Sequence, residues 1–250
     1  MPSGDTEAHS LCTAPMAAAI LAAGLGSRMG GVPKAAILVG GQAVLHWQAA
    51  ALREAGIDRI TVVTGPYPRE MKQLTDGCGV QQLPLAPRAG QTSPAAAGDL
   101  VASQRAALRH HLAHCAGHDL LLLLGDLPLL RAPHIHGLVR AWATRSPATH
   151  ALVPVVAGVR GHPVLLSAAA VQAIVASPDT RRNADAGADV DVDVDADADP
   201  KAGVRCWMRR NPGAVRFLPQ TDPAYTQDVD TLGDLARIGL PWRLPASAAH

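Results

Sequence analysis

The chain has 250 residues, 48% of them hydrophobic, which is enough apolar material for a sizeable core. With 22 basic against 21 acidic residues and 3% aromatics, it has neither the charge footprint nor the stacking platforms of a nucleic-acid binder. The longest apolar runs, Met16–Leu25 and Leu120–Leu124, are too short to span a bilayer.

Residues 1–15 read as a flexible leader. Its opening, Met1-Pro-Ser-Gly-Asp-Thr-Glu, lacks the positive segment of a signal peptide. Met16–Ala22 reads as a short buried strand running into the glycine-rich turn Gly24-Leu-Gly-Ser-Arg-Met-Gly-Gly31. Residues 43–56 read as a helix stopped by Gly56, Arg59–Thr64 as a strand, and Gly98–Cys115 as a helix. Asp119–Leu124 is a second continuous apolar strand, ending at Gly125-Asp126. Pro133–Thr144 is helical, His150–Val156 and Pro163–Leu166 are strands, and Ala168–Ala176 and Thr231–Ile238 are helices.

Strands that alternate with helices and are apolar almost throughout predict an α/β fold, with a mostly parallel sheet buried on both faces. The expected folded region is a single domain over 16–240, followed by a tail over 241–250.

Residues 184–200 (ADAGADVDVDVDADADP) are of low complexity. Their alternation imitates a strand, but like charges on one face repel, so the tract reads as a solvated, disordered insertion. It is not a calcium loop: counted from Asp189, the positions that need Gly and Glu hold Val194 and Pro200. The tract holds seven aspartates, which leaves 22 basic against 14 acidic residues elsewhere and suits an anionic small-molecule ligand. Four dispersed cysteines, Cys12, Cys78, Cys115 and Cys206, make no disulfide framework, so a reducing, cytoplasmic setting is expected, with no membrane partner.

The first site motif is Leu21-Ala-Ala-Gly-Leu-Gly-Ser-Arg-Met-Gly-Gly-Val-Pro-Lys34. A glycine-rich turn at the carboxyl end of a buried strand exposes backbone N–H groups that suit phosphate oxygens. Leu21, Ala22, Ala23, Gly24, Leu25, Gly26 and Ser27 would line the phosphates, and Arg28 and Lys34 add charge where a triphosphate would lie. Gly24, Gly26 and Gly30 miss the dinucleotide fingerprint by one residue, and no Walker-type loop is present. Lys34 is one of three lysines against nineteen arginines, so a compact ammonium in this loop is notable.

A second candidate is Asp126, at the end of the leucine strand, where open α/β sheets bind ligands and where a carboxylate can hold Mg²⁺. Alone, it reads equally well as a turn or cap residue. In Asp228-Val-Asp-Thr-Leu-Gly-Asp, Asp228 and Asp230 point to one side of an extended segment, while Thr231 and Asp234 read as a capping box. The spacing does not decide which of the two aspartates would bind a metal. Gly161-His162-Pro reads as a loop on the C-terminal side. His110, His114 and His118 share one helical spacing, but Gly117 ends the helix before His118, and a metal face is not expected.

The first motif resembles the signature of the MobA-like NTP transferases, L-A-A-G-x-x-x-R-M-G followed by Lys, with matches at Leu21, Ala22, Ala23, Gly24, Arg28, Met29, Gly30 and Lys34. Gly125-Asp126 and Asp228-Val-Asp-Thr extend the resemblance over Met16 to about Leu235. Leu232-Gly233 replaces the Pro-Glu of the family pattern. The resemblance implies a Rossmann-like three-layer sandwich of the nucleotide-diphospho-sugar transferase type. It implies transfer of a nucleotide monophosphate from an NTP to a phosphorylated acceptor, with Mg²⁺ held by Asp126 and by Asp228 or Asp230.

Arg28, Lys34 and Asp126 are the implied catalytic residues, with Gly98 and Ser103 near the base and Gly161 and His162 in the acceptor pocket. The Gly-His-Pro and Asp-Val-Asp-Thr stretches are most similar to molybdenum-cofactor cytidylyltransferases, which join CTP to molybdopterin and hand it to a molybdoenzyme. The spacing from Arg28 to Lys34 is more similar to the guanylyltransferase branch, and a sugar-phosphate acceptor is the other alternative. A reading of another class is a non-catalytic nucleotide-binding chaperone for molybdoenzyme maturation.

Overall fold

The computed structural model describes residues 14–85, 100–177 and 203–245. The leader up to residue 13, Gly98 and the acidic tract lie outside the described residues. Strand β1 (Met16–Ala22) is at the heart of the molecule, paired in parallel on one side with β4 (Ile60–Thr64) and on the other with β6 (Asp119–Leu124). Leu120 to Leu123 are at most 1% exposed, and each contributes about 1.5–3 kcal/mol through burial. This is why the run tolerates no polar residue until its end.

The sheet grows outward to β5 (Gln81–Pro84), parallel to β4. On the other side, β9 (Val164–Leu166) pairs antiparallel with both β6 and β7 (Ala151–Val156). β10 (Val215–Gln220) closes that edge parallel to β7, and the short β8 (Val159–Arg160) turns back on β7. The order is β10-β7-β9-β6-β1-β4-β5, a mostly parallel sheet with an antiparallel insertion.

Alternate residues of the strands feed two separate cores. Ala18, Ile20, Val62, Leu121 and Leu123 pack with α1 (Val44–Glu54) and α4 (Ala132–Ala143), through Leu45, Leu52, Ile135, Leu138 and Trp142. Met71 of α2 (Pro68–Thr75) joins that core. Ala19, Leu21, Val63, Leu120 and Leu122 face α3 (Leu100–His114), α5 (Ala168–Ala176) and α6 (Gly203–Arg210). Helices on both faces of the sheet make the α/β fold that the strand pattern predicts and the three-layer, Rossmann-like sandwich that the resemblance implies.

The strands β2 (Leu38–Val39), β3 (Gln42–Ala43) and β11 (Trp242–Arg243) form a second, three-stranded sheet. Trp242 and Arg243 pair with Val39 and Leu38, so folded chain continues past the expected end at 240. Beneath this sheet Met29, Ile37, Val39, Val44 and Val229 pack with Leu235 of α7 (Leu232–Arg237). That small core ties the glycine loop to a segment 200 residues away.

Among the described residues no helix is long and apolar enough to cross a membrane. The histidine face is broken as expected: α3 ends at His114, Gly117 takes φ +80°, and His118 lies beyond the helix.

Candidate active site

The register of β1 against β6 aligns Leu21 with Leu124, so both strands finish at one edge and their loops lie side by side. Gly125 donates its N–H to the Leu21 carbonyl at 2.9 Å. A Cβ on Gly125 would sit 3.0 Å from that oxygen, and one on Gly65 2.5 Å from the Ala23 carbonyl oxygen. The loops therefore meet backbone to backbone.

Gly26 adopts φ +55°, and its carbonyl accepts from Met29 at 2.8 Å and Gly31 at 3.0 Å, which closes the turn. Tyr67 donates its hydroxyl to the Leu25 carbonyl and props the loop from outside. Leu21 and Ala23 are buried and Leu21 packs in the sheet core, so these positions would meet a ligand through their backbone. Ser103 is buried in the first turn of α3.

Five charged groups converge at this edge. Lys34 donates to Asp126 at 3.0 Å and also to Asp230. Arg28 donates to the other Asp230 oxygen at 2.9 Å. Carboxylate oxygens of Asp126, Asp228 and Asp230 all lie within 4.8 Å of one another. The two aspartates left open by the spacing therefore both reach the cluster. Asp228-Val229-Asp230 explains this locally, because Val229 is buried in the small core and the aspartates flank it. The Val229 N–H also donates to the Asp126 carbonyl at 3.0 Å.

Thr231 and Asp234 form the expected capping box at the start of α7, and Asp234 accepts from the Asp230 N–H at 3.0 Å as well. The acidic segment is thus held at both ends.

The electrostatics are uneven. Burial works against the Lys34 charge, but Asp126 and Asp230 more than offset it and hold its pKa above the ordinary lysine value. Burial likewise opposes ionisation of Asp230, yet Lys34 and then Arg28 hold it below the usual carboxylate range. For Asp228 the help is weaker. Burial of its carboxyl pushes it up, Asp126 and Asp230 push further, and its own backbone N–H and then Lys34 lower it by less. Asp126 Oδ1 is buried with no hydrogen-bond partner. Three carboxylates this close, one of them carrying an orphaned oxygen, make a donor set that suits a hard divalent cation.

Gly161 and His162 come to the same region from another side. A Cβ on Gly161 would lie 2.4 Å from the Tyr225 carbonyl oxygen, and His162 donates its N–H to that oxygen at 2.8 Å. Its Nδ1 faces the Leu122 carbonyl at 3.4 Å, and burial pushes the imidazole below the ordinary histidine range. The Asp228 carboxylate acts on it in the opposite sense. Two contributors escaped the sequence reading. Tyr67 carries no motif, and Gln48 was visible only as a polar residue on the apolar face of α1.

Comparison with known proteins agrees with this architecture. Rv0371c from Mycobacterium tuberculosis H37Rv superposes with a TM-score of 0.62 at 21% identity, covering 90% of this chain and 97% of that one. Its structure is also known in complex with manganese. A nucleotidyl transferase from Methanothermobacter thermautotroptrophicus (Mth528) gives 0.61 at 19%, covering 90% and 95%. A cytidylyltransferase from Leptospira borgpetersenii gives 0.61 at 13%, covering 90% and 85%. At these identities the likeness speaks for the fold. The sequence profile of the MobA-like NTP transferase domain matches residues 18–188, more than half of the chain, and the protein belongs to that family.

Proposed function

We propose that this protein transfers the nucleotide monophosphate of an NTP, with CTP favoured, to a phosphorylated acceptor of the molybdopterin type. An acceptor phosphate oxygen attacks the α-phosphorus, the bond to the β-phosphate oxygen breaks, and pyrophosphate leaves with that electron pair. The observation that carries the reading is the Lys34 ammonium bridging Asp126 and Asp230 beside the glycine loop.

Lys34 and Arg28 would leave the carboxylates for the triphosphate, where they neutralise charge and fix its line of approach. The Gly24–Ser27 backbone would hold the phosphates, Gly98 and Ser103 the base, and Gly161 and His162 the acceptor. Asp126, Asp228 and Asp230 would hold Mg²⁺, which supplies charge neutralisation on the phosphate oxygens. The manganese complex of Rv0371c supports a divalent metal in this fold.

The spacing from Arg28 to Lys34 favours a second reading, a guanylyltransferase. A screen of pyrophosphate release from CTP, GTP, ATP and UTP, with Mg²⁺ and molybdopterin, separates the two by the nucleotide consumed. Release with CTP that falls about 10²–10³-fold in Asp126→Ala is the expected result. Nucleotide binding without turnover would instead favour a chaperone that only carries the cofactor to a molybdoenzyme.

A further inference from the structure

Helix α1 carries a polar residue where its pattern calls for an apolar one. Leu45, Gln48, Ala49 and Leu52 recur at the spacing of one helix face, and all four are sealed from solvent. A buried amide is unfavourable unless its polar atoms are paired, and Gln48 pairs only one end. Its Nε2 donates to the Leu124 carbonyl at 2.9 Å and the Leu127 carbonyl at 3.3 Å, while Oε1 is buried without a partner. Only the NH₂ end can donate, so the two carbonyls fix the orientation of the amide.

Packing alone does not account for this residue: methionine would fill the space, but it would take the donor away from the Leu124 and Leu127 carbonyls. What the two donors do is hold both ends of the turn that presents Gly125 and Asp126. From there the linkage continues through the Asp126 carbonyl to the N–H of Val229, between Asp228 and Asp230. One amide therefore sets the turn bearing the first carboxylate, and that turn sets the segment bearing the other two.

We infer that Gln48 is a positioning residue for the divalent-metal site, fixing the spacing of Asp126 against Asp228 and Asp230 without bonding any carboxylate itself. The inference rests on the metal assignment proposed above. Loss of an outer partner of a metal ligand costs about 10–100-fold in metal affinity.

The test is Mn²⁺ binding to the full chain without nucleotide, followed by electron paramagnetic resonance, in the wild type, Gln48→Met and Asp126→Asn. Gln48→Met is expected to bind Mn²⁺ about 10–100-fold more weakly, whatever its melting temperature, because the variant sheds the orphan oxygen but also both bonds to the Leu124 and Leu127 carbonyls. A merely structural glutamine gives a changed melting temperature with unchanged Mn²⁺ affinity, and that unchanged affinity overturns the inference.

Asp126→Asn separates the two readings. If it weakens Mn²⁺ binding and Gln48→Met does not, the role of Gln48 alone fails. If it leaves Mn²⁺ binding intact, the metal assignment fails and Gln48 has no site to position. Should Gln48→Met not fold, the wild type decides. The side-chain amide resonances of Gln48 shift on adding Mg²⁺ if the linkage exists, and unmoved resonances overturn it.

Discussion

Replacing Lys34 with methionine removes one charge while keeping the stem and most of its apolar contacts. At an effective dielectric of about 20, charges 3.0 Å apart, the Lys34–Asp126 distance, attract by about 5.5 kcal/mol. Water reaches all three partners, with side-chain exposures of 17% for Lys34, 20% for Asp126 and 35% for Asp230, so screening removes much of that. The loss on mutation then falls below the about 3–5 kcal/mol typical of a broken buried pair, at about 2–3 kcal/mol, or about 5–10 °C in melting temperature.

The pH window follows from the two shifts. Asp230 is lowered from 3.8 and Lys34 raised from 10.5, so the stabilisation is complete between those values. It is lost as the pH falls through the lowered Asp230 value or rises through the raised Lys34 value. At neutral pH without metal the mutant should therefore show the whole deficit. A divalent cation should reverse it, because the metal enters the three carboxylates with no ammonium to displace, and binding at 100 times its dissociation constant adds about 2.7 kcal/mol. Thermal and urea unfolding in EDTA and in millimolar Mg²⁺ measure both halves. If Lys34→Met melts with the wild type in EDTA, or if Mg²⁺ raises both proteins equally, the lysine is not the cation that balances this cluster.

Three other outcomes follow from the same geometry. Asp228→Asn should raise the melting temperature in EDTA, because folding disfavours the ionised Asp228 carboxyl, yet weaken Mn²⁺ binding; a fall in melting temperature would contradict the assigned crowding. Gly26→Ala places a Cβ 2.0 Å from the Val32 carbonyl oxygen at φ +55° and should cut NTP affinity at least about tenfold, whereas a Cβ on Gly24 meets nothing within 4 Å and Gly24→Ala should leave the melting temperature unchanged; equilibrium nucleotide titration and melting curves check the order. Asp119→Ala strips Trp142, Arg145 and the Ala168 N–H of their shared acceptor and should cost about 3–5 kcal/mol in urea unfolding; a loss under about 1 kcal/mol would refute that role.

The central strands are legible in the sequence because a strand buried on both faces is apolar over nearly its whole length, the buried Asp119 that opens β6 being the charged exception. α5 is legible as an almost unbroken apolar run. Met16–Ala22, Asp119–Leu124 and Ala168–Ala176 fall at the predicted residues. The edge strands are not legible. β5 reads QQLP and β10 reads VRFLPQ, with Pro219 and charged or exposed positions that a central strand would not carry. Their pairing with β4 and β7 makes them strands, and that information lies elsewhere in the chain. α2 and the small three-stranded sheet were likewise missed, being too short to establish a period.

The charged residues of the site were legible one by one, while their meeting was implied by the family resemblance and not by their spacing, since Lys34 and Asp230 are 196 positions apart. The link between them is apolar. Met29 follows Arg28 and Val229 separates the two aspartates, and both are buried in the same small core. Burying those two side chains draws like charges together against their repulsion, and the cations of the first loop make the arrangement tolerable. The Asp-Val-Asp pattern therefore has no fixed meaning of its own. Along residues 189–199 it reads as a solvated charge run, whereas at 228–230 a seat for the valine turns the same three letters into a carboxylate pair aimed at one point. For Val229 that seat is offered by Met29, Ile37 and Val39.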